Sequence, residues 1–186
     1  MECIPEFGFG WGTGWIYLLI LAATDGVLFA SFPRKVVKRL FDRSGWSQKQ
    51  ILVTILGKLV ALTSIFMLIF TPIKFGSTVF IIGSAIALLA LLGLIKSLYD
   101  YRNTPMDVPV TKGIYRLSRH PQVIMSSMVL LGGAIAIGSW SALILVLLAR
   151  ALSHQQLLAE EHACLSQYGE AYETYRKNTP RYFLFF

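Results

Sequence analysis

The segment VIMSSMVLLGGAIAIGSWSALILVLLARAL, residues 123–152, decides the fold, because its length fits neither one nor two ordinary membrane crossings. A helix needs about 20 apolar residues to cross the ~30 Å hydrocarbon core of a bilayer. Gly132-Gly133 and Gly138-Ser139-Trp140 lie in the middle of the segment, where clustered Gly and Ser favour a turn. The sequence therefore predicts a tight hairpin of two short helices, about Val123 to Ile137 and from Trp140 onward.

Three further apolar segments precede the hairpin: Trp15 to Phe32, Ile51 to Phe70 and Phe75 to Ile95. Each has the length that a single membrane crossing needs. Of the 186 residues, 55% are hydrophobic and only 15% are charged, which is too apolar for an ordinary soluble domain. We therefore expect an all-α fold, a polytopic membrane helix bundle that forms a single membrane-embedded domain over residues 1-186.

The N-terminal residues argue against a cleavable signal peptide, and the two cysteines argue against a disulfide framework or a metal site. Met1 to Gly14 carries Glu2 and Glu6 and no basic residue, so it lacks the positive region of a cleavable signal peptide. We expect the first apolar segment to be retained as a membrane span. Cys3 and Cys164 lie far apart without metal-type spacing, so we expect neither a disulfide framework nor a metal site.

Basic residues mark one side of the membrane, because Lys and Arg concentrate in cytoplasmic loops. Of the 17 Lys and Arg residues, all except Lys58 and Lys74 lie in Pro33 to Gln50, in Lys96 to Pro121, or from Arg150, near the end of the hairpin, onward. Both ends of the hairpin then face the cytoplasm, which predicts five transmembrane helices with the N-terminus outside and the C-terminus cytoplasmic. The net charge of +7 accordingly indicates contact with anionic membrane lipids, not with nucleic acid.

Two charged residues interrupt the first two apolar segments at similar depth. Asp25 lies seven residues before Phe32, and Lys58 lies seven residues after Ile51, so each is roughly 10 Å from the end predicted to be cytoplasmic. Charges within a bilayer are costly and are usually paired or functional. We therefore expect Asp25 and Lys58 to form a structural ion pair between the first two helices.

The loop before the hairpin is the richest in chemically active side chains. Pro121 suits the first turn of a helix, which places His120 beside the free N–H groups and the positive dipole end of the fourth span. Such a position favours an anionic or electron-rich group. An alternative is that Arg116, Arg119 and His120 only anchor the helix end among lipid headgroups.

Acidic and aromatic residues follow the hairpin. Glu160 and Glu161 lie about two turns beyond the apolar run, and because neighbours on a helix point about 100° apart we expect only one of them to meet the basic loop. Gly169 is expected to break this helix. Tyr172 and Tyr175 share a face of the next segment, although an interfacial aromatic belt explains them equally well. The terminal residues 182–186 are expected to contact the membrane.

The ordered combination of these motifs resembles the membrane methyltransferases related to isoprenylcysteine carboxyl methyltransferase and the phospholipid methyltransferases. The resemblance covers about residues 96 to 182, whereas residues 1 to 95 match only in general architecture. It divides the chain into 1-95, the first three spans, and 96-186, the cofactor-binding loop, the helical hairpin and the C-terminal cytoplasmic segment. The motifs that carry it are Gly113-x-Tyr115-x-x-x-Arg119-His120-Pro121, Glu160-Glu161-x-x-x-Leu165, Tyr168-Gly169-x-x-Tyr172-x-x-Tyr175 and Pro180-Arg181.

The resemblance implies that S-adenosylmethionine binds at the cytoplasmic side. It implies that His120 and Pro121 line the cofactor with Tyr115 beside it, and that Glu160 or Glu161 binds its cationic methionyl end. The full set of implied cofactor-binding residues is Tyr115, His120, Pro121, Glu160, Glu161 and Tyr172. The candidate catalytic residues are Arg119, Glu161 and Arg181, of which Arg119 and Arg181 are also candidates for binding the cofactor carboxylate or an anionic substrate.

The implied function is a methyltransferase, similar to isoprenylcysteine carboxyl methyltransferase, whose lipophilic acceptor enters from the bilayer of the plasma, inner or endoplasmic reticulum membrane. Alternatives are a phospholipid, amine or thiol methyltransferase of the same family, a relative of the sterol reductases, and a small membrane protein without enzymatic activity. The family usually carries Tyr and Gly where this chain has Val123 and Met125. We therefore expect the cofactor contacts to differ there.

Overall fold

The structure of the protein, a computed structural model, describes residues 1–3, 5–8, 10–42 and 46–183. Arg43 of the first basic loop and the terminal residues Leu184, Phe185 and Phe186 lie outside the described residues. The described part of the chain is helical and contains no β-strand, which confirms the all-α prediction. Its helices are α1 (Trp15–Ser31), α2 (Arg34–Leu40), α3 (Gln48–Phe70), α4 (Thr78–Arg102), a 3₁₀ helix (Gly113–Arg116), α5 (Pro121–Ala136), α6 (Trp140–Leu152), α7 (His154–Tyr168) and α8 (Glu170–Asn178).

The helical hairpin is confirmed, with α5 and α6 as its two helices. Gly138 adopts a φ of 71° in the turn between them, a conformation that glycine adopts without steric cost. Ser139 then caps α6, since its Oγ accepts a hydrogen bond of 3.1 Å from the N–H of Ala142. The start of α5 contacts α7, which continues α6. Both ends of the segment therefore lie at the same end of the bundle, as a hairpin requires.

The described helices include enough apolar length for several membrane crossings. By length and composition, α3, α4 and the α6–α7 unit are each able to span a bilayer. The remaining apolar helices, α1 and α5, are shorter. The protein is therefore built as an integral membrane protein, while the count of five crossings and the orientation of the termini stay predictions.

Close contact between α4 and α5 positions the hairpin against the first three apolar helices. A Cβ atom added at Gly83 would lie 2.4 Å from the backbone of Ala136, and one added at Gly132 would lie 2.6 Å from the backbone N of Ala87. The two helix backbones thus touch through small residues, the usual basis of tight packing between membrane helices. This contact sets where α5, and with it His120, lies relative to α4.

The fourth helix extends further than the sequence predicts. We expected a loop from Lys96 onward, but α4 continues to Arg102. Charged residues do not end a helix by themselves, and the (i, i+4) ion pair of Lys96 with Asp100 supports the added turns. Asp100 Oδ2 also accepts a hydrogen bond of 3.0 Å from the N–H of Ile114, which holds the 3₁₀ helix against α4.

The predicted ion pair between Asp25 and Lys58 is wrong. Both residues are described, and no ion pair within 4.0 Å joins them. Lys58 is exposed on α3, whereas Asp25 is partly buried and lines a cavity that α1 shares with α4, α5 and α7. Sequence spacing predicts how deep a residue lies along a helix, but the rotation of each helix about its axis decides which neighbour the residue faces.

Candidate functional site

A cavity of about 1010 Å³, which we call the large cavity, opens at the end of the bundle where the hairpin begins and ends. It lies between α2, the end of α4, the start of α5, α7 and α8. Its volume is at the upper end of the ~300–1,000 Å³ that small-molecule sites occupy. Basic, acidic and aromatic side chains all contribute to its wall. They are Lys35, Lys38, Arg39, Arg119, Asp42, Glu160, Tyr101, Tyr115, Tyr168, Tyr172 and Tyr175.

His120 lies between the two neighbouring glutamates of α7. Its Nδ1 is 3.5 Å from Glu160 Oε2, and its Nε2 is 3.2 Å from Glu161 Oε1. The expectation that only one glutamate meets the basic loop is therefore wrong. The two ring nitrogens flank Cε1 and point in different directions, so one histidine contacts both of the diverging carboxylates.

The charge of His120 is set by these two carboxylates. Burial alone would lower the pKa of the imidazole, because it disfavours the charged form. The hydrogen bonds and charges of Glu160 and Glu161 outweigh burial, and the pKa of His120 is raised above its usual value. His120 therefore keeps its proton to a higher pH than an exposed histidine, and both ring N–H groups are then donors.

Glu161 is the centre of a buried ion cluster behind the cavity wall. Arg181 donates two hydrogen bonds of 2.8 Å to its carboxylate, from Nε to Oε1 and from Nη2 to Oε2. This pairing raises the pKa of the Arg181 guanidinium. Arg119 Nε lies 3.1 Å from Glu161 Oε1, and both side chains are almost fully buried. The cluster joins α7, the start of α5 and the C-terminal segment.

Backbone hydrogen bonds fix the C-terminal segment against the loop before α5. The N–H of Arg119 donates to the carbonyl of Pro180 at 3.0 Å, and Ser118 Oγ donates to the carbonyl of Arg181 at 2.6 Å. Tyr175 donates its hydroxyl to the carbonyl of Tyr115 at 2.7 Å. These contacts make the position of His120 depend on residues about 60 positions later in the chain.

Burial decides between the two interpretations of the basic loop. Arg119 and His120 are each only 8% exposed, and both pair with side chains of the protein. Lipid headgroups therefore do not bind them as the anchoring alternative supposes. Arg116, the third residue of that alternative, is exposed and remains available for such contacts.

The structure separates the predicted site residues into two groups. Four of the predicted cofactor-binding residues, and Arg119 of the predicted catalytic set, contribute to the wall of the large cavity. The first group comprises Tyr115, Arg119, His120, Glu160 and Tyr172. Pro121, Glu161 and Arg181 lie behind that wall: Pro121 is fully buried at the first position of α5, and the other two pair with each other. Whether any of them binds a cofactor or takes part in catalysis stays a prediction.

Sequence reasoning missed the contribution of α2. Arg39 donates hydrogen bonds to the carbonyls of Pro105 and Val108, at 3.1 and 2.9 Å. Its guanidinium also lies over the rings of Tyr101 and Tyr168, 5.1 and 5.6 Å from their centroids. We attributed this basic run to membrane topology alone. Its helical spacing of three and four residues was the signal that the cations share one face.

The departures at Val123 and Met125 have different structural settings. Met125 occupies space that α4 leaves at Gly93, where an added Cβ would lie 2.5 Å from the Met125 sulfur. The missing glycine on α5 is thus matched by a glycine on α4. Val123 contributes to the wall of the large cavity, where the family usually carries a larger aromatic side chain.

Comparison with known proteins agrees with this site. The family model described as phospholipid methyltransferase matches residues 95–171, which contain the end of α4, the whole hairpin and α7. No curated protein matches the chain. The matched range includes Tyr115, His120 and Glu160 and ends before Arg181. The resemblance inferred from the motifs is therefore confirmed, since residues 95–171 match the phospholipid methyltransferase family of membrane methyltransferases.

Proposed function

We propose that this protein is an integral membrane methyltransferase that uses S-adenosylmethionine and methylates a lipophilic acceptor. The observation that carries the proposal is the large cavity, whose wall includes the His120–Glu160 pair within the part of the chain that matches the methyltransferase family. In this proposal the enzyme is similar to isoprenylcysteine carboxyl methyltransferase, which the motifs resemble, and the acceptor enters from the bilayer. The basic residues of α2 support a cytoplasmic position for this site, because Lys and Arg concentrate in cytoplasmic loops.

The chemistry of the cavity wall fits the cofactor. S-adenosylmethionine carries a sulfonium, an ammonium and a carboxylate, so its site must offer acidic, aromatic and basic groups. Glu160, whose side chain is 33% exposed, provides a carboxylate for the cationic end, and the tyrosine rings provide faces for the sulfonium. Arg119 and the lysines of α2 provide donors for the carboxylate. When bound, the cofactor supplies a methyl group on a positively charged sulfur.

The side chains of the cavity act mainly by positioning. Burial raises the pKa values of Tyr115 and Tyr172 well above the usual value, so both phenols stay neutral and offer aromatic faces and O–H donors rather than bases. A carboxylate acceptor needs no proton removed, so alignment and exclusion of water supply most of the rate for it. An amine acceptor must first lose a proton, and Glu160 is the carboxylate on the wall that is placed to accept it.

Cofactor binding is the first test, measured by calorimetry on the purified protein in lipid nanodiscs. We expect S-adenosylmethionine to bind the unaltered protein, and Glu160→Gln to weaken binding about tenfold, since a charge-assisted hydrogen bond is lost. The matched control is Glu170→Gln, which removes an exposed carboxylate of α8 outside the cavity and should change nothing. Failure of the unaltered protein to bind the cofactor would sink the proposal and favour a membrane protein without this activity.

Methyl transfer from labelled cofactor to a panel of acceptors is the second test. The panel contains prenylcysteine analogues, aminophospholipids and small thiols, which offer a carboxylate, an amine and a thiolate. We expect a lipophilic acceptor to be labelled in preference to the small thiols. Cofactor binding without labelling of any lipophilic acceptor would overturn the acceptor assignment and leave the cofactor assignment standing.

A further inference from the structure

A second cavity, of about 210 Å³, adjoins the large one, and we call it the small cavity. Side chains of α1, α4, α5 and α7 contribute to it. Leu40, Asp42, Gln122, Val123 and Glu160 contribute to the walls of both cavities. A ligand in the small cavity thus lies directly beside one in the large cavity.

The two cavities differ in charge. The large cavity carries four Lys and Arg residues, among them Arg39 and Arg119. Among the described residues of the small cavity, the charged ones are Asp25, Asp42 and Glu160, and none is Lys or Arg. This excess of carboxylates occurs in a chain of net charge +7. The small cavity therefore favours a cationic ligand, whereas the large cavity suits a ligand that also carries negative charge.

Two polar groups in the wall of the small cavity lack partners among the described residues. Within the described part of the chain, no hydrogen bond or ion pair joins the Asp25 carboxylate to another side chain. The Nε2 atom of Gln122 is buried and has no hydrogen-bond partner there. Isolated buried polar groups are costly, and an ionisable residue in a membrane helix is usually paired or functional. Both groups are thus available to a ligand.

We propose that the small cavity holds the reacting end of the methyl acceptor and that Asp25 binds it as an ammonium group, which makes Asp25 a specificity-determining residue. This inference rests on the proposed function. An acceptor carboxylate would be repelled by the Asp25 carboxylate, with no Lys or Arg among the described residues of this cavity, whereas an ammonium would pair with Asp25. The apolar side chains of Phe29, Leu94 and Leu98 cover the carbon atoms next to the nitrogen. Gln122 is left to donate to an oxygen at the boundary between the cavities.

The test is ligand binding without cofactor, reported by the fluorescence of Trp46, which contributes to the small cavity. The protein in phosphatidylcholine nanodiscs is titrated with a long-chain amine brominated near its head, and with the matching alcohol and acid. The part of the fluorescence quenching that is absent in the Trp46→Phe variant reports binding in the small cavity. We expect the amine to bind about 10- to 100-fold more tightly than the acid, as a charge-assisted hydrogen bond predicts. Acid binding as tight as amine binding would overturn the inference.

Variants of Asp25 test whether this residue determines the preference for the amine. We expect Asp25→Asn to remove the preference of the amine over the alcohol, and Asp25→Glu to keep part of it, because a carboxylate is retained. Lys58→Gln, which changes an exposed charge of α3, is the matched control and should keep the full preference. An unchanged preference in Asp25→Asn would overturn the assignment. If a short-chain soluble amine bound as tightly as the long-chain amine, the claim that the acceptor is lipophilic would be overturned.

Kinetics and calorimetry on the same samples separate this inference from the proposed function. With an amine acceptor, we expect Asp25→Asn to raise KM about tenfold or more and to leave the Kd of the cofactor unchanged. Normal cofactor binding together with an unaltered KM in Asp25→Asn would refute the role of Asp25 alone. Absence of cofactor binding in the unaltered protein would refute the proposed function, whatever Asp25 does.

Discussion

The two ends of the α5–α6 hairpin are built from different kinds of interaction. At the turn end, backbone groups meet directly: the N–H of Glu2 donates to the carbonyl of Gly138 at 2.7 Å, and Ser139 is fully buried. At the open end, where α5 begins and α7 follows α6, charged side chains of His120 and the two glutamates meet. The contrast teaches that close packing of small residues positions the hairpin, whereas the open end depends on pairing charges in a buried site.

The same contrast separates the two adjacent glutamates of the open end. Glu161 is 4% exposed and is fully used by protein cations, whereas the Glu160 side chain is 33% exposed and contributes to both cavities. One carboxylate therefore holds the site together, and its neighbour is available to ligands. Substitutions should accordingly affect stability at Glu161 and affinity at Glu160.

The largest effect is expected for Glu161→Ala. Removal of this carboxylate leaves Arg119, Arg181 and protonated His120 without their shared partner, and breaking a buried ion pair costs about 3–5 kcal/mol. We expect the free energy of unfolding, measured by titration from mild detergent into SDS, to fall by about that amount, with loss of cofactor binding. Glu170→Ala on the surface of α8 is the control. Stability equal to that of the unaltered protein would show that the cluster is not structural.

Gly132→Ala tests the close contact that positions the hairpin. The added Cβ would lie 2.6 Å from the backbone N of Ala87, and backbone atoms cannot move aside without separating α4 from α5. We expect a loss of about 1–3 kcal/mol in the free energy of unfolding, as for overpacked cores. Gly26→Ala on α1 is the matched control, because an added Cβ there has nothing within 4 Å. If both variants were equally stable, the contact would not constrain the hairpin.

Stability should also depend on pH through His120. Its folded-state pKa is raised, so its contribution is fully present below the unfolded value of about 6.5 and is lost as pH rises through the raised pKa. We expect the midpoint of thermal unfolding to fall as pH rises from about 6.5 through the raised pKa of His120, and His120→Gln to flatten that fall. His162→Gln, an exposed histidine of α7, is the control and should keep the full slope. The same slope in His120→Gln would exclude His120 as its source.

Local patterns predicted those parts of the fold that depend on local geometry. The glycine at position 138 and the proline at position 121 marked the turn and the start of α5 because their backbone preferences are intrinsic. The contact of Arg39 with Pro105, 66 residues away, leaves no trace in either local pattern. The position of Asp25 also escaped prediction, since it depends on the rotation of α1 against three other helices. Ordered motifs, in contrast, were enough to bring His120 and Glu160 together.

Gly93→Ala is expected to have the smallest effect on the free energy of unfolding. It distinguishes a contact with a flexible side chain from a contact between helix backbones. Its added Cβ would lie 2.5 Å from the sulfur of Met125, a distance as short as that at Gly132. The neighbour here is a flexible side chain, which moves aside, whereas at Gly132 it is backbone. We therefore expect Gly93→Ala to lower the free energy of unfolding by less than about 1 kcal/mol.

The double variant Gly93→Ala/Met125→Ala tests the cause of that small loss. Removing the methionine side chain makes room for the new Cβ, so the effect of Gly93→Ala should vanish when it is measured in the Met125→Ala background. Unfolding free energies of the four proteins in the cycle measure this coupling. The contradicting result is a loss of unfolding free energy at Gly93 that equals the loss at Gly132 and persists in the Met125→Ala background. It would mean that the backbones of α4 and α5 are in contact along the whole length of the pair. The open end of the hairpin would then be held as rigidly as the turn end.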